Sequence, residues 1–229
     1  LNCSGEASTV TDALRWLKNM LGDSIAVKVT PPKARSKKEA ALVLKSVKPI
    51  QHAALVNYLD RRGIPLSVAK TALKEVRVQH KESKKNIFAL GIMNEDDGWE
   101  IRNPLVKSCI GPKAVTFIRG KQTKPTGIHI FEGFMDYLSV ITQNEGKQFK
   151  DDVIILNSVA CLRQATAYIK GYGYTVMRTW LDNDLSGKKA TQALKEFAAT
   201  EANLTHKPMN ATYTPYKDVN AWHMVKLGL

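Results

Sequence analysis

The sequence predicts an α/β protein whose C-terminal half forms a mainly parallel sheet flanked by helices. After residue 126, three short apolar strands alternate with three helices, the pattern that βαβ units produce. A smaller basic α+β region precedes them, with a strong turn signal between two of its strand-like runs. We therefore expect an N-terminal helix and basic linker (1–48), an α+β basic subdomain (49–124) and an α/β domain (125–229).

The first segment begins with an amphipathic helix. Residues 9–22 place apolar side chains at helical spacing, and Gly22 can end the helix. The stretch from Lys28 to Lys48 is rich in lysine around Pro31-Pro32, which favours a solvated linker that could also lie along phosphates. Because the chain begins with Leu instead of Met, we expect a fragment of a longer protein.

The middle segment mixes helices and strands. Two helices separated at Arg62–Pro65 are followed by strand-like runs, and the sequence 94–98 (NEDDG) is typical of the turn of a hairpin. The predicted helices cover 51–62 and 65–76, and the predicted strands cover 76–80, 86–93, 99–103 and 115–120.

The last segment alternates strand and helix throughout. Its strands are continuous apolar runs, as expected when a parallel sheet is covered on both faces. The predicted strands lie in 127–133, 153–158 and 175–184, and the predicted helices in 134–146, 162–173 and 187–202.

Acidic residues follow two of these strands. Glu132 ends the first strand and Asp136 lies four residues later, while Asp182 and Asp184 end the third strand on one face. Sites in open α/β sheets form at the carboxyl ends of the strands, so these carboxylates should converge there. Clustered carboxylates repel one another unless a cation lies between them, and Mg²⁺ or Mn²⁺ suits such oxygen ligands. The alternative is that each residue merely caps a helix.

Charge and cysteine content narrow the class of protein. The chain has 34 Lys+Arg against 21 Asp+Glu, a net charge of +13 that favours a nucleic-acid partner, although a basic surface can also serve solubility alone. Cys3, Cys109 and Cys161 are far apart and form no CxxC pair, so we expect reduced thiols in a cytoplasmic protein and no zinc site within this chain. No apolar run is long enough to span a bilayer, so no membrane association is expected.

The segments IFEGFMDYLSV (130–140) and WLDNDLSGKKA (180–190) together resemble the Toprim signature of bacterial primases, type IA and II topoisomerases and some nucleases. The resemblance covers about residues 125–225. It implies that Glu132, Asp182 and Asp184 are catalytic and bind metal, with Asp136 in support. The tail TYTPYKDVNAWHMV (212–225) resembles the Asp-Pro-Asp stretch of primases. Of the carboxylates in that stretch, only Asp218 is present here as a metal-binding residue, because Val219 and Asn220 occupy the other positions.

The middle region resembles the basic subdomain that precedes Toprim in bacterial primases. The resemblance rests on YLDRRGI (58–64), the hairpin 88–103 and Lys107. The whole chain is most similar to small primase-like proteins of Bacteroides mobile elements, in which a zinc module comes before this core. A zinc module is therefore expected upstream, and Cys3 is either its last remnant or a lone buried thiol.

The resemblance implies Mg²⁺-dependent synthesis of short RNA primers on a single-stranded DNA template from nucleoside triphosphates, with a replicative or mobile-element helicase as partner. The expected template- and nucleotide-binding residues are Lys84, Lys85, Arg102, Asn103, Lys107, Lys113, Arg119, Lys188 and Lys189. Simpler explanations exist: an ion pair of Arg102 with Asp96 or Asp97, and solvated helix lysines at 188 and 189. Four aromatic residues could stack on bases or pack in the core, namely Trp99, Tyr137, Tyr172 and Tyr174.

Two other functions remain open. A Toprim nuclease would use the same carboxylates for metal-assisted hydrolysis, and a non-catalytic nucleic-acid-binding module would carry a vestigial metal site. The basic region before the Toprim segment favours the primase. A topoisomerase is disfavoured because 229 residues leave no room for a separate tyrosine-bearing domain.

Overall fold

The computed structural model describes residues 42–229, which form one compact unit. The predicted helix over 9–22, Cys3 and the basic segment up to residue 41 lie outside the described residues. The linker prediction is wrong for its last part, because Leu42–Lys48 form strand β1. This strand lies at a sheet edge and is mostly exposed, so its lysines stay in water while its backbone pairs with the neighbouring strand.

The middle region contains a five-stranded antiparallel sheet with its strands in sequence order. The strands after β1 are β2 (Lys74–His80), β3 (Asn86–Met93), β4 (Trp99–Arg102) and β5 (Lys107–Ile110). At the predicted turn, Asn94 Oδ1 accepts hydrogen bonds from the N–H groups of Asp96 and Gly98, at 3.1 and 2.8 Å. Because successive strands alternate in direction, the β2–β3 and β4–β5 turns lie at the same end of this sheet.

Two short helices, α1 (Ala53–Asp60) and α2 (Leu66–Ala69), precede β2. The helix predicted over 65–76 is wrong beyond Ala69, since β2 already begins at Lys74. Val76 and Val78 are fully buried on one face of β2, and this period of two decides in favour of a strand.

The second sheet has the order β10-β9-β7-β8-β6. Four of its strands are parallel, and β6 pairs antiparallel with β8 at the edge. The strands are β6 (Thr116–Ile118), β7 (Gly127–Phe131), β8 (Asp152–Ile155), β9 (Val176–Trp180) and β10 (Thr205–Pro208). The predicted α/β class with a mainly parallel sheet is therefore confirmed. The strand predicted at 115–120 is also confirmed, but it pairs with this second sheet and not with the antiparallel sheet of the middle region.

Helices cover the parallel sheet. They are α3 (Phe134–Gln143), α4 (Leu162–Ile169), α5 (Leu185–Thr200), α6 (Asn210–Tyr213) and α7 (Val219–Lys226), with a 3₁₀ turn at Val159–Cys161. One apolar core continues from α1 and β3 to β7 and α3, through Leu59, Leu90, Phe131 and Leu138. Among residues 42–229, none of the helices combines the length and apolarity needed to cross a membrane.

Candidate active site

Glu132 and Asp182 lie side by side at the carboxyl ends of two neighbouring parallel strands. Glu132 follows β7 directly, Asp182 comes two residues after β9, and the two strands pair in register as far as Phe131 and Trp180. The backbone N–H of Asp182 donates to Glu132 Oε2 at 3.1 Å. Burial, and then the negative charge of Asp182, raise the pKa of Glu132. The convergence predicted for these two carboxylates is therefore observed.

Asp136 lies behind this pair in the first turn of α3 and is 7% exposed. Its Oδ1 accepts a hydrogen bond from the backbone N–H of Asn220 at 3.1 Å. Burial, and then the charges of Asp218 and Asp182, raise the pKa of Asp136 to about 8. A carboxyl group in such surroundings holds its proton near neutral pH unless a cation neutralises the cluster.

Asp184 has two functions in this structure. It is the N-cap of α5, where its Oδ1 accepts from the N–H groups of Ser186 and Gly187 at 3.0 Å each. These hydrogen bonds, that of Gly187 first, lower the pKa of Asp184. The helix-cap explanation thus holds for one oxygen. The other, Oδ2, lies 3.7 Å from Lys217 Nζ, on the side of Asp182.

The segment that carries Asp218 is attached to the Asp182–Asp184 motif through Asn183. The backbone N–H of Asn183 donates to the carbonyl oxygen of Lys217 at 2.6 Å, and its side-chain amide donates to that of Tyr216 at 2.8 Å. Asp218 caps α7 by accepting from the N–H of Ala221 at 2.7 Å. The tail thereby brings Asp218 close enough to raise the pKa of both Asp136 and Asp182, after burial itself.

The residues of this acidic edge fit a hard divalent cation by their chemistry, since they offer carboxylate oxygens that repel one another. Within residues 42–229, however, no group of three His, Cys, Asp or Glu side chains is already arranged to hold an ion. In this structure Asp184 uses one oxygen as a helix cap, and the ammonium group of Lys217 lies 3.4 Å from Asp182 Oδ2 and 3.7 Å from Asp184 Oδ2. Shared coordination of one cation by Glu132, Asp182 and Asp184 stays a prediction.

Two of the predicted basic residues face this edge. Arg102 and Lys107 are paired at the end of the β4–β5 hairpin, and their positive charges act to lower the pKa of Asp136 and Glu132, respectively. Within the described residues, no ion pair joins Arg102 to Asp96 or Asp97. Lys84 and Lys85 are exposed in the β2–β3 turn, at the same end of the antiparallel sheet.

Other predicted binding residues have structural partners. The Asn103 side chain donates to the carbonyl of Phe88 at 2.7 Å and accepts from the N–H groups of Leu105 and Val106, so it shapes the hairpin turn. Lys113 pairs with the buried Glu100 at 3.3 Å.

Arg119, a residue predicted to bind template or nucleotide, lies away from the acidic edge. It follows β6, which runs antiparallel to β8, so it lies at the amino ends of the parallel strands, opposite the acidic edge.

Lys188 and Lys189 are exposed in the first turn of α5. Lys189 lines a surface depression of about 440 Å³ together with Asp184, Leu185 and Ser186. Lys189 therefore lies next to Asp184, and Lys188 precedes it in the same helix.

Core packing explains most of the aromatic candidates. Tyr137 and Tyr174 are 3% and 4% exposed, and Trp99 packs against the buried face of the antiparallel sheet. Tyr172 is 38% exposed and stacks on Tyr174 with ring centroids 4.2 Å apart.

Sequence reasoning missed Lys217 and Asn220. Asn220 is 2% exposed, and its side chain contacts Arg62 and Ser139 in addition to the backbone contact with Asp136. Both residues belong to the tail whose resemblance to the primases was noted for its carboxylates only.

The structure combines an antiparallel sheet that carries basic residues at one end with a parallel sheet that has carboxylates at the carboxyl ends of its strands. Residues 129–223 match the family model described as Toprim-like, so the chain carries a Toprim-like domain, as predicted. Residues 44–111 match a second family model, described as a domain of unknown function (DUF8464). None of the curated protein sequences matches the chain.

The fold of the described residues is similar to that of a primase fragment. It is similar to the crystal structure of the primase fragment of the bacteriophage T7 primase-helicase protein, with a TM-score of 0.54 and 16% identity over 83% of this chain and 80% of that chain. A second structure is the bacteriophage T7 lagging-strand DNA polymerase with primase domains bound to an RNA/DNA hybrid and dTTP. It matches with a TM-score of 0.49 and 16% identity, over 80% of this chain and 87% of that chain. The predicted Toprim primase-like core is confirmed at the level of fold.

Proposed function

We propose that this chain is a Mg²⁺-dependent primase that makes short RNA primers on single-stranded DNA. The observation that carries the proposal is the acidic edge formed by Glu132 and Asp182, faced by the basic hairpin end of Arg102 and Lys107. Metal-assisted phosphoryl transfer needs this combination, because carboxylates must hold a cation while basic side chains hold two polyanions. The Toprim-like domain and the primase-like fold support the same reaction.

Glu132, Asp182 and Asp184 would hold the metal, with Asp136 and Asp218 behind them. Bound Mg²⁺ would lower the pKa of the primer 3′-hydroxyl and neutralise charge on the transferred phosphoryl group. The N–H of Asp182 fixes Glu132 Oε2, which leaves Oε1 to ligate the metal or to accept a proton. The cap of α5 likewise fixes Asp184 Oδ1 and leaves Oδ2 directed toward Asp182 and Lys217.

The basic residues divide by position. Arg102 and Lys107 would hold the template beside the carboxylates, and Lys84 and Lys85 would extend this contact along the same end of the antiparallel sheet. Lys188 and Lys189 adjoin the Asp pair at the start of α5, where they would contact triphosphate oxygens. As part of the same proposal, a replicative or mobile-element helicase would be the protein partner of this chain.

The test is incubation of the chain with single-stranded DNA, labelled ribonucleotides and Mg²⁺. New labelled primers would support the proposal. Shortened template would indicate a metal-dependent nuclease, and neither product would indicate a non-catalytic binding module. Asp182→Asn and Asp184→Asn should each abolish primer synthesis, whereas Asp96→Asn, at an exposed turn in the described sheet, should preserve it. Full synthesis by either of the first two variants would overturn the assigned roles.

A further inference from the structure

The ammonium group of Lys217 lies where the proposed metal would have to bind. Lys217 Nζ is 3.4 Å from Asp182 Oδ2 and 3.7 Å from Asp184 Oδ2. The Lys217 side chain is 62% exposed, while the Asp182 side chain is only 14% exposed. An exposed ammonium group therefore lies beside two carboxylates, one that follows strand β9 and one that caps helix α5.

The backbone of Lys217 is held in place although its side chain is exposed. Its carbonyl oxygen accepts from the N–H of Asn183, and the preceding carbonyl of Tyr216 accepts from the Asn183 side chain. The following residue, Asp218, begins α7 as its N-cap. The Cα of Lys217 is thus attached to the Asp motif itself. Rotation of the Lys217 side chain would move the ammonium group away from the carboxylates while the Cα stays beside the site.

A divalent cation and an ammonium group cannot both occupy the space between Asp182 and Asp184, because like charges at this separation repel. Binding of metal would therefore release Lys217 to the edge of the site. The triphosphate of an incoming nucleotide is the polyanion that would arrive there, and an ammonium group is a point charge suited to phosphate oxygens.

We infer that Lys217 is a nucleotide-binding residue that contacts the Asp182–Asp184 pair before metal binds and the triphosphate once metal has entered. This inference rests on the proposed function, because it takes a metal–nucleoside triphosphate as the ligand. Two effects of opposite sign follow. Lys217 weakens binding of metal alone, and it strengthens binding of nucleotide to the metal-loaded site.

Lys217→Met tests both effects, since it keeps much of the aliphatic length and removes the charge. Mn²⁺ alone should bind to this variant about tenfold more tightly than to the wild-type chain, a change in the usual range of coupling between sites. A non-hydrolysable nucleoside triphosphate should bind about tenfold more weakly, measured at Mn²⁺ concentrations that saturate the site in both proteins. Electron paramagnetic resonance of free Mn²⁺ gives the first affinity, and a fluorescent nucleotide analogue gives the second.

Two further variants distinguish the effect of a positive charge at position 217 from the effect of a positive charge elsewhere in the chain. Lys217→Arg keeps a cation at the position and should stay near the wild-type chain in both measurements. Lys195→Met removes an equal charge from an exposed position of α5, ten residues or about 15 Å along the helix from its start, and should change neither affinity appreciably. Circular dichroism melts of all variants establish that they are folded.

A Lys217→Met variant that binds Mn²⁺ no more tightly than the wild-type chain, or loses affinity for both ligands together, would overturn the inference. Absence of Mn²⁺ binding in every variant would overturn it as well. Primer synthesis is measured separately. If the two affinities shift in opposite directions but the chain makes no primers, the role of Lys217 is supported and the proposed reaction is refuted. If the chain makes primers but the two affinities do not change, the proposed reaction is supported and the role of Lys217 is refuted.

Discussion

Asn220 connects helices α3 and α7 to the turn that follows α1, and its replacement by alanine should destabilise the chain measurably. Its Nδ2 donates to the Arg62 carbonyl at 3.0 Å and to Ser139 Oγ at 2.9 Å, and its Oδ1 accepts from the Arg62 guanidinium at 3.0 Å. Arg62 lies in the turn that follows α1, Ser139 lies in α3, and Asn220 itself lies in α7. The side chain of Asn220, which is only 2% exposed, thus connects the basic region to the Toprim-like domain.

Asn220→Ala removes all three of these side-chain hydrogen bonds. At about 1 kcal/mol for each, the free energy of unfolding should fall by about 3 kcal/mol. For a chain of this size, that corresponds to a decrease in Tm of about 6–12 °C. Thermal unfolding followed by circular dichroism measures the change.

Asn144→Ala is the matched control, because exposed Asn144 makes one side-chain hydrogen bond, to the carbonyl of Lys147. Its Tm should change by less than about 3 °C. If Asn220→Ala melts as close to the wild-type chain as this control does, the hydrogen bonds of Asn220 do not hold the helices together.

Three further predictions concern the site. Because burial raises the pKa of Asp136 to about 8 from 3.8, the contribution of this group to the stability of the metal-free chain falls as pH rises from about 4 to 8. Asp136→Asn should therefore resist urea better than the wild-type chain at pH 8, with little difference at pH 4. Arg102→Ala should weaken binding of single-stranded DNA and reduce its salt dependence in a fluorescence anisotropy titration, since one phosphate contact is lost. Gly187→Ala should abolish primer synthesis, because a Cβ there would collide with the carbonyl oxygen of Asp182 and displace the carboxylate pair.

Each of these predictions has a control that shares its chemistry. Asp60→Asn changes an exposed carboxylate of α1 and should not alter the pH dependence of unfolding. Arg163→Ala removes an exposed guanidinium from α4 and should leave the salt dependence of DNA binding unchanged. Ser186→Ala adds no atom beside Asp182 and should keep activity. Equal behaviour of a site variant and its control would contradict the corresponding prediction.

The parallel sheet and the acidic edge could be predicted because both depend on local sequence. Alternation of strand and helix determines that the strands run parallel, and parallel strands place residues such as Glu132 and Asp182 at one edge. The local pattern failed for β2, where helical spacing up to Val76 competed with the alternation of Val76 and Val78. It failed for Arg119 because the direction of β6 depends on its pairing with β8.

The roles of Lys217 and Asn220 could not be predicted from local sequence, since they depend on contacts between distant segments. Asn220 contacts Arg62 across 158 positions, and Lys217 reaches the Asp182–Asp184 pair only because Asn183 fixes the tail beside it. Nothing in the spacing of these residues distinguishes them from ordinary surface positions. The resemblance to primases directed attention to the carboxylates of the tail and not to its lysine.

The helix cap at the start of α5 restricts rotation of the Asp184 side chain before any ligand binds. A side chain that must be immobilised on binding gives up rotational entropy, which reduces affinity. Asp184 has already given up this freedom, because two backbone N–H groups fix one of its oxygens. Its second oxygen is therefore oriented before any ligand arrives, and whatever binds to it gains enthalpy with little entropic loss.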